Sequence, residues 1–503
     1  LARLFPHSVA VVESNGKTVS AGELLAGANR LVHGLRRQGL RPGDVLATAI
    51  SNRAELLQLY FAALQAGWYF LALNPAMPAS ETEAILKTGV AAVLIFDGSC
   101  QGVAGALSHL GPQKCYSLED GPNQRCWSEL WQGQSDGAPA DRRAGDRLAI
   151  TSGTTGQPKI VRRPLSGLSP EHLGKQAALH LRAVCGITPR SGAVHLVASP
   201  LYHSASLLWC GDHLQLGHTV VLLPSEGWDP EVALAAIEGH KVTGSLMVPT
   251  HFRRLSDLPK HRRLSYDVSS LRHVVHTGAA CPPSLKMEML EWWGPVIYEV
   301  YGAAEGAGTR VGPQEWLEHP GTVGRSHGRV RVVREDGTAC PPGEIGKVYL
   351  KTAGPAKPQS EPGDRELRSQ GFSSVGDLGY LDEDGFLFLA GRQDDIIISG
   401  GVNIHPAEIE SILNSHPGVT DVVVVGIPDK QWGQRLKAMV QPKGGTPTTS
   451  LADELRALCR SRLAAHKCPR DFELVASLPR DHQGKLRRRE RALGERRRSD
   501  QTK

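Results

Sequence analysis

No stretch of the 503 residues reaches the roughly 18 consecutive apolar positions that a bilayer-spanning helix needs, so membrane insertion is not expected. The segment after Leu1 has no basic-then-apolar export signal, and because Leu1 is not Met, a short leader ahead of it would not be visible. The nine cysteines, Cys100, Cys115, Cys126, Cys185, Cys210, Cys281, Cys340, Cys459 and Cys468, contain no C-x-x-C pair and no metal-ligand spacing. They are expected to be reduced thiols in a cytoplasmic protein. The net charge of +6 is partly concentrated between Arg487 and Arg498, with no interleaved aromatic platform, which describes a basic tail and not a nucleic-acid-binding face. Solenoid-period repeats and long low-complexity linkers are also missing.

What is there is ordinary globular material: 40% hydrophobic and 21% charged residues leave no room for a disordered reading. The length exceeds what one compact core supports, so a large domain and at least one smaller unit are expected. Ser20 and Glu23 form a candidate capping box for a helix running to about Arg37, with apolar residues at Leu24, Leu25, Ala28, Leu31, Val32 and Leu35. The apolar run Val45 to Ile50, a helical pattern from Ala54 to Leu64, and further short runs at 91–96, 219–223 and 271–275 alternate strand with helix. Such alternation predicts an α/β class with largely parallel, buried sheets. Past Arg392 the texture restarts: Pro406 opens a helix, Val422 to Val425 is a strand, Ser450 caps a helix to about Leu463, and Phe472 to Val475 is another strand. This predicts a large N-terminal domain over 1–393 and a small, mobile α+β domain over 394–503, joined by a tight hinge.

One loop carries chemistry. Thr151-Ser152-Gly153-Thr154-Thr155-Gly156-Gln157-Pro158-Lys159 follows the apolar run Leu148 to Ile150. Its glycines let backbone N–H groups turn onto an anion, its hydroxyls add donors, and Lys159 adds a mobile cation, which together suit a polyphosphate. The Walker spacing is missing, which argues against an ordinary P-loop NTPase. A flexible Ser/Thr/Gly surface loop is the alternative for such a composition, though the string is long for one.

That loop, with Tyr301-Gly302-Ala303-Ala304-Glu305, Gly376-Asp377-Leu378-Gly379-Tyr380 and Gly391-Arg392, resembles the acyl-adenylate-forming superfamily of acyl-CoA synthetases, peptide-synthetase adenylation domains and luciferases, over nearly the whole chain. The resemblance implies ATP, Mg²⁺ and coenzyme A. It implies that Thr151, Ser152, Gly153, Thr154, Thr155, Gly156 and Lys159 hold phosphates and that Glu305 binds magnesium. The adenosine would lie against Gly278, Ala279, Ala280, Glu299, Tyr301, Gly302 and Ala304, with its ribose on Asp377 and Arg392. Ala304 stands where the family usually has Thr, so a hydroxyl contact to the α-phosphate is missing. Asp394 is the implied hinge, and Ser399, Gly400 and Gly401 the wall of a thiol tunnel. Lys485, in Leu478 to Arg487, is the implied catalytic cation.

The substrate carboxylate is already ionised at neutral pH, so adenylation needs positioning and charge neutralisation and no general base. Pro200-Leu201-Tyr202-His203-Ser204 resembles the segment flanking the acyl site, with His203 as gate or carboxylate neighbour. Ser204, Leu208, Trp209, Met247, Gly302 and Gly306 are further lining candidates. No acidic residue there suits an α-amino group, and Glu315 to Arg325 resembles ligases for fatty, bile or other alicyclic acids, which points to a bulky hydrophobic acid. Three alternatives stay open: a ligase that loads an acyl carrier protein, a non-catalytic nucleotide-binding scaffold, and an oxygenase of the luciferase kind. The partners expected are the acid, ATP and coenzyme A, without nucleic acid, for a monomer or homodimer.

Overall fold

A computed structural model describes residues 1–119, 125–152, 158–303, 306–351, 367, 369–399, 402–429, 432–444 and 450–478. The protein is a mixed α/β chain with a large N-terminal domain and a small C-terminal domain. By backbone proximity it divides into two compact units, Leu1–Met247 with Pro259–Val274, and Val248–Leu258 with Val275–Lys503.

In the first unit the helix Ala21–Arg37 starts where the capping box puts it. Ser20 Oγ accepts from the Glu23 N–H at 3.2 Å, and Glu23 Oε2 accepts from the Ser20 N–H at 2.8 Å. A cap of this kind stabilises by about 1 kcal/mol. Leu24, Ala28, Leu31, Val32 and Leu35 form its buried stripe, in one core with Leu56, Leu57, Leu59 and Tyr60 of the helix Ala54–Ala66. Every residue of the strand Val45–Ala49 is buried, as expected for a strand covered on both faces, and it pairs in parallel with Tyr69–Ala72 and with Ala91–Phe96. A second parallel set has Val194–Val197 between Thr219–Leu222 and Gly244–Met247, with Val9–Val12 beyond Thr219–Leu222.

The second unit departs from the expectation of largely parallel sheets. Its five-stranded sheet, in the order Gly324–Arg325, Phe386–Arg392, Phe372–Leu381, Gly346–Lys351, Val330–Val333, is antiparallel throughout. Asp382 to Gly385 makes a hairpin turn: Asp382 Oδ1 accepts from the Asp384 and Phe386 amides, and Gly385 has φ +78°. The small C-terminal domain has a three-stranded sheet, Val419–Asp429, Gly433–Pro442 and Asp471–Leu474, and helices Pro406–Asn414 and Leu451–Arg462 around a core of Ile404, Ile409, Leu413, Val422, Val424, Ala438 and Leu455. Ser450 precedes its helix as predicted but does not cap it. Its backbone is already helical, at φ −88° and ψ −20°, and its side chain makes no capping bond. No helix among the described residues is long and apolar enough to cross a membrane.

Candidate functional site

Tyr301 lies on the strand Ile297–Ala303, and Asp377 and Arg392 face each other in register across the hairpin Phe372–Leu381/Phe386–Arg392. The Tyr301 hydroxyl donates to Asp377 Oδ2 at 2.7 Å, and Arg392 Nε donates to Oδ1 at 3.1 Å. One carboxylate is thus gripped on both oxygens, with lone pairs still open for further donors. The Asp377 side chain is 15% exposed and that of Arg392 60%, so the group stands at a rim. Burial, reinforced by the Asp377 charge, pushes the Tyr301 phenol well above its ordinary range, which keeps it a donor. Behind Tyr301 the partner strand Gly306–Val311 comes so close that a Cβ on Gly308 would sit 2.0 Å from the Tyr301 carbonyl oxygen.

Two residues before Tyr301 on the same strand, Glu299 is buried and faces a lysine and an imidazole. Lys286 Nζ donates to Glu299 Oε2 at 2.7 Å, and His276 Nε2 lies 3.2 Å from the same oxygen. Burial alone would raise the Glu299 carboxyl, but His276 and Lys286 outweigh it and hold the group well below the usual carboxylate range. Lys286 is 1% exposed and also stands 4.8 Å from the Trp316 ring centroid. The Gly278 turn, at φ +88°, is tied to the Tyr301 strand by Thr277 Oγ1, which donates to the Val300 carbonyl at 2.7 Å. Ala279 and Ala280 follow in that turn.

In the first unit, Thr151 and Ser152 end the strand Ala149–Ser152, and Lys159 pairs with Thr151 across the antiparallel strand Pro158–Val161. His203 precedes the helix Ser204–Gln215 and closes a turn through its N–H to the Pro200 carbonyl at 3.1 Å. On that helix Leu208 is half-buried, and Trp209 is buried with its ring 5.1 Å edge-on from His180. Met247 is fully buried at the end of its strand. Asp212, 4% exposed, is committed to His180 Nδ1 at 2.7 Å.

The same helix carries His213, which stacks on His195 at 4.2 Å and places Nδ1 3.1 Å from His218 Nδ1. His218 Nε2 is 3.0 Å from the Thr188 carbonyl, which only accepts, so Nε2 carries the proton. In the neutral state His218 Nδ1 is then the acceptor and His213 Nδ1 the donor.

Residues 2–358 match the family described as AMP-binding enzyme, and residues 408–485 its C-terminal domain. The chain belongs to the AMP-binding enzyme family. A feruloyl-CoA synthase of an Amycolatopsis species is 33% identical, covering 96% of this chain and 95% of that one. A fatty acid–[acyl-carrier-protein] ligase of Streptomyces coeruleorubidus is 29% identical over 94% and 91%. The solved o-succinylbenzoate CoA synthetase from Bacillus subtilis, in complex with its acyl-adenylate intermediate, matches with a TM-score of 0.79 at 28% identity, over 97% of this chain and 96% of that one. This AMP-binding enzyme is an AMP-forming acid–thiol ligase.

Several residues expected from the sequence lie outside the described residues: Gly153, Thr154, Thr155, Gly156, Ala304, Glu305, Gly400, Gly401 and Lys485. Asp394, exposed, sits in the short turn Gln393–Asp395 directly after Arg392, and Ser399 pairs with Val402 in the next hairpin. Among the described residues no group of three or more His, Cys, Asp and Glu side chains could hold a metal ion. Sequence reasoning missed Lys286 and His276. Lys286 was legible, because it falls on the apolar stripe of Pro283–Trp293 with Met289, Leu290 and Trp293, where a lysine is buried only if paired.

Proposed function

We propose that this AMP-binding enzyme is an acyl-CoA synthetase that joins a bulky hydrophobic carboxylic acid to coenzyme A through an acyl-adenylate. The observation that carries the nucleotide half is the Asp377 carboxylate, fixed between Tyr301 and Arg392 with free lone pairs: a planar pair of acceptors suits the vicinal hydroxyls of a ribose. The Gly278 turn and the Tyr301 ring would take the adenine, and the Thr151–Lys159 hairpin the phosphates. The acid's carboxylate oxygen attacks the α-phosphorus, the bond to the β-phosphate oxygen breaks, and pyrophosphate leaves. Lys485 stabilises the charge that develops there.

Magnesium would neutralise phosphate charge in this step, and a single carboxylate, Glu305, fits an ion that takes its other oxygens from phosphates and water. In the second half-reaction the thiol, losing its proton, displaces AMP from the acyl carbon. The small domain turns about Asp394 between the two, removing Lys485 and bringing Ser399 to Gly401 beside the thiol.

Trp209, Leu208 and Met247 support an apolar acid. Asp212, the acidic residue on the same helix, is bonded to His180 and so does not offer itself to an amino group. The carrier-protein ligase among the relatives supports a second acceptor, a phosphopantetheine arm. Pyrophosphate release across a panel of acids, with coenzyme A, with acyl carrier protein and with neither, tests both. Lys485→Ala is expected to abolish adenylation while still transferring acyl groups from a supplied acyl-adenylate. Equal loss of both half-reactions in a folded variant would defeat the two-state scheme.

A further inference from the structure

The segment Pro200–Ser204, which presents His203, has no regular secondary structure of its own before the helix Ser204–Gln215 begins. Its shape depends on a few bonds. Within the segment and its own helix, His203 N–H closes on Pro200 O, and Ser206 Oγ donates to Ser199 O at 2.9 Å. Bonds also reach it from elsewhere in the same unit. Arg147 Nε reaches Ser204 Oγ at 3.3 Å in a half-buried setting, and Asn52 Oδ1 accepts from the Leu201 N–H at 2.8 Å in a buried one.

Asn52 is only 9% exposed and spends its whole amide on this region. While Oδ1 holds Leu201, Nδ2 donates to the Leu223 carbonyl at 2.9 Å, and its own N–H donates to Ser225 Oγ at 3.2 Å. Asn52 follows the strand Val45–Ala49, Leu201 follows Val194–Val197, and Leu223 follows Thr219–Leu222. One side chain therefore bridges the carboxyl ends of three strands drawn from two different sheets. Carboxyl ends of parallel strands are where open α/β sheets bind ligands. An Asn is the right group: it must donate to a carbonyl from one atom and accept from an N–H on another, and an ionised Asp, which only accepts, cannot do both.

We propose that Asn52 is a positioning residue of the acyl half-site: its amide sets the Leu201 backbone, and through it the direction in which His203 faces the substrate acid. This rests on the assignment of His203 to the acyl site.

The test measures KM for the acid and KM for ATP separately by pyrophosphate release, with thermal stability and amide exchange of the 198–204 segment followed alongside. Asn52→Ala is expected to raise the acid KM about 10-fold, leave the ATP KM within about 2-fold, and speed exchange at Leu201. Asn52→Asp keeps an acceptor for Leu201 and loses the donor to Leu223. It is expected to raise the acid KM about 3-fold, which keeps the test open if the alanine variant does not fold. Because Asn52 acts through the turn, Asn52→Ala combined with His203→Ala should be no worse for the acid KM than His203→Ala alone.

Parallel rises in both KM values, additive effects in the double variant, or an unchanged acid KM in Asn52→Ala beside a raised one in His203→Ala would overturn the positioning role alone. An unchanged acid KM in His203→Ala would instead remove the acyl-site assignment, and this inference with it.

Discussion

The Tyr301 hydroxyl is bound to Asp377 Oδ2 at 2.7 Å, which ties the strand Ile297–Ala303 to the antiparallel hairpin that carries Arg392. The tyrosine thus does two separable things: its ring offers an apolar face, and its oxygen aims a carboxylate. Tyr301→Phe removes only the second. Loss of one such hydrogen bond is expected to lower kcat/KM for ATP about 5-fold with the melting temperature nearly unchanged, while Asp377→Asn, which removes charge and one acceptor, costs about 100-fold. Initial rates at varied ATP measure both, and a phenylalanine variant with normal ATP kinetics would show that Asp377 needs no help from the phenol.

Lys286 and Glu299 are a buried ion pair below that strand, and breaking such a pair leaves a charge without compensation. Lys286→Met is expected to destabilise the fold by about 3–5 kcal/mol, and the double variant Lys286→Met/Glu299→Gln to recover much of it. Urea denaturation of the two reports the coupling. Equal stability of the single and double variants would mean that His276 alone satisfies the carboxylate.

Acid should weaken the fold of this enzyme. Burial pushes His195 and His251 down to about 3, His213 well below its ordinary 6.5, and His218 below it as well. These groups are neutral when folded and protonate near pH 6.5 when unfolded, so the unfolded chain binds more protons as the pH drops from 6.5 towards the folded values. Stability is therefore full above pH 6.5 and falls below it, by up to about 1.4 kcal/mol per pH unit for each group. Glu299, held low by His276 and Lys286, adds a loss of the same sign below pH 4.5. Melting temperatures between pH 7.5 and 5 are expected to fall, and His195→Leu to shallow the slope by about one proton. A flat profile over that range would contradict the buried, neutral state of these rings.

The sequence was most informative where a local pattern decides the outcome. The Ser20–Glu23 box, the strand Ala91–Phe96 and the Asp382–Gly385 turn follow from neighbours a few residues apart. The antiparallel sheet was not legible, because its strands such as Gly346–Lys351 and Val330–Val333 are short and their pairing is set by partners far along the chain. At the site, Asp377 and Arg392 could be named from their motifs, but that a tyrosine 76 positions earlier holds the same carboxylate is a tertiary fact. Asn52, in an unremarkable Ser-Asn-Arg string, gave no signal at all: its importance lies in two backbone groups, the Leu201 N–H and the Leu223 carbonyl, that only the folded chain brings to its side chain.

Gly308 sets a boundary for anyone who would re-engineer this enzyme. A methyl group there would run into the Tyr301 carbonyl, a backbone oxygen, and no rotamer change can relieve it. If the proposed acyl site is right, libraries aimed at new acids belong on the Ser204–Gln215 helix, whereas any non-glycine codon at position 308 sets a side-chain carbon against a backbone oxygen.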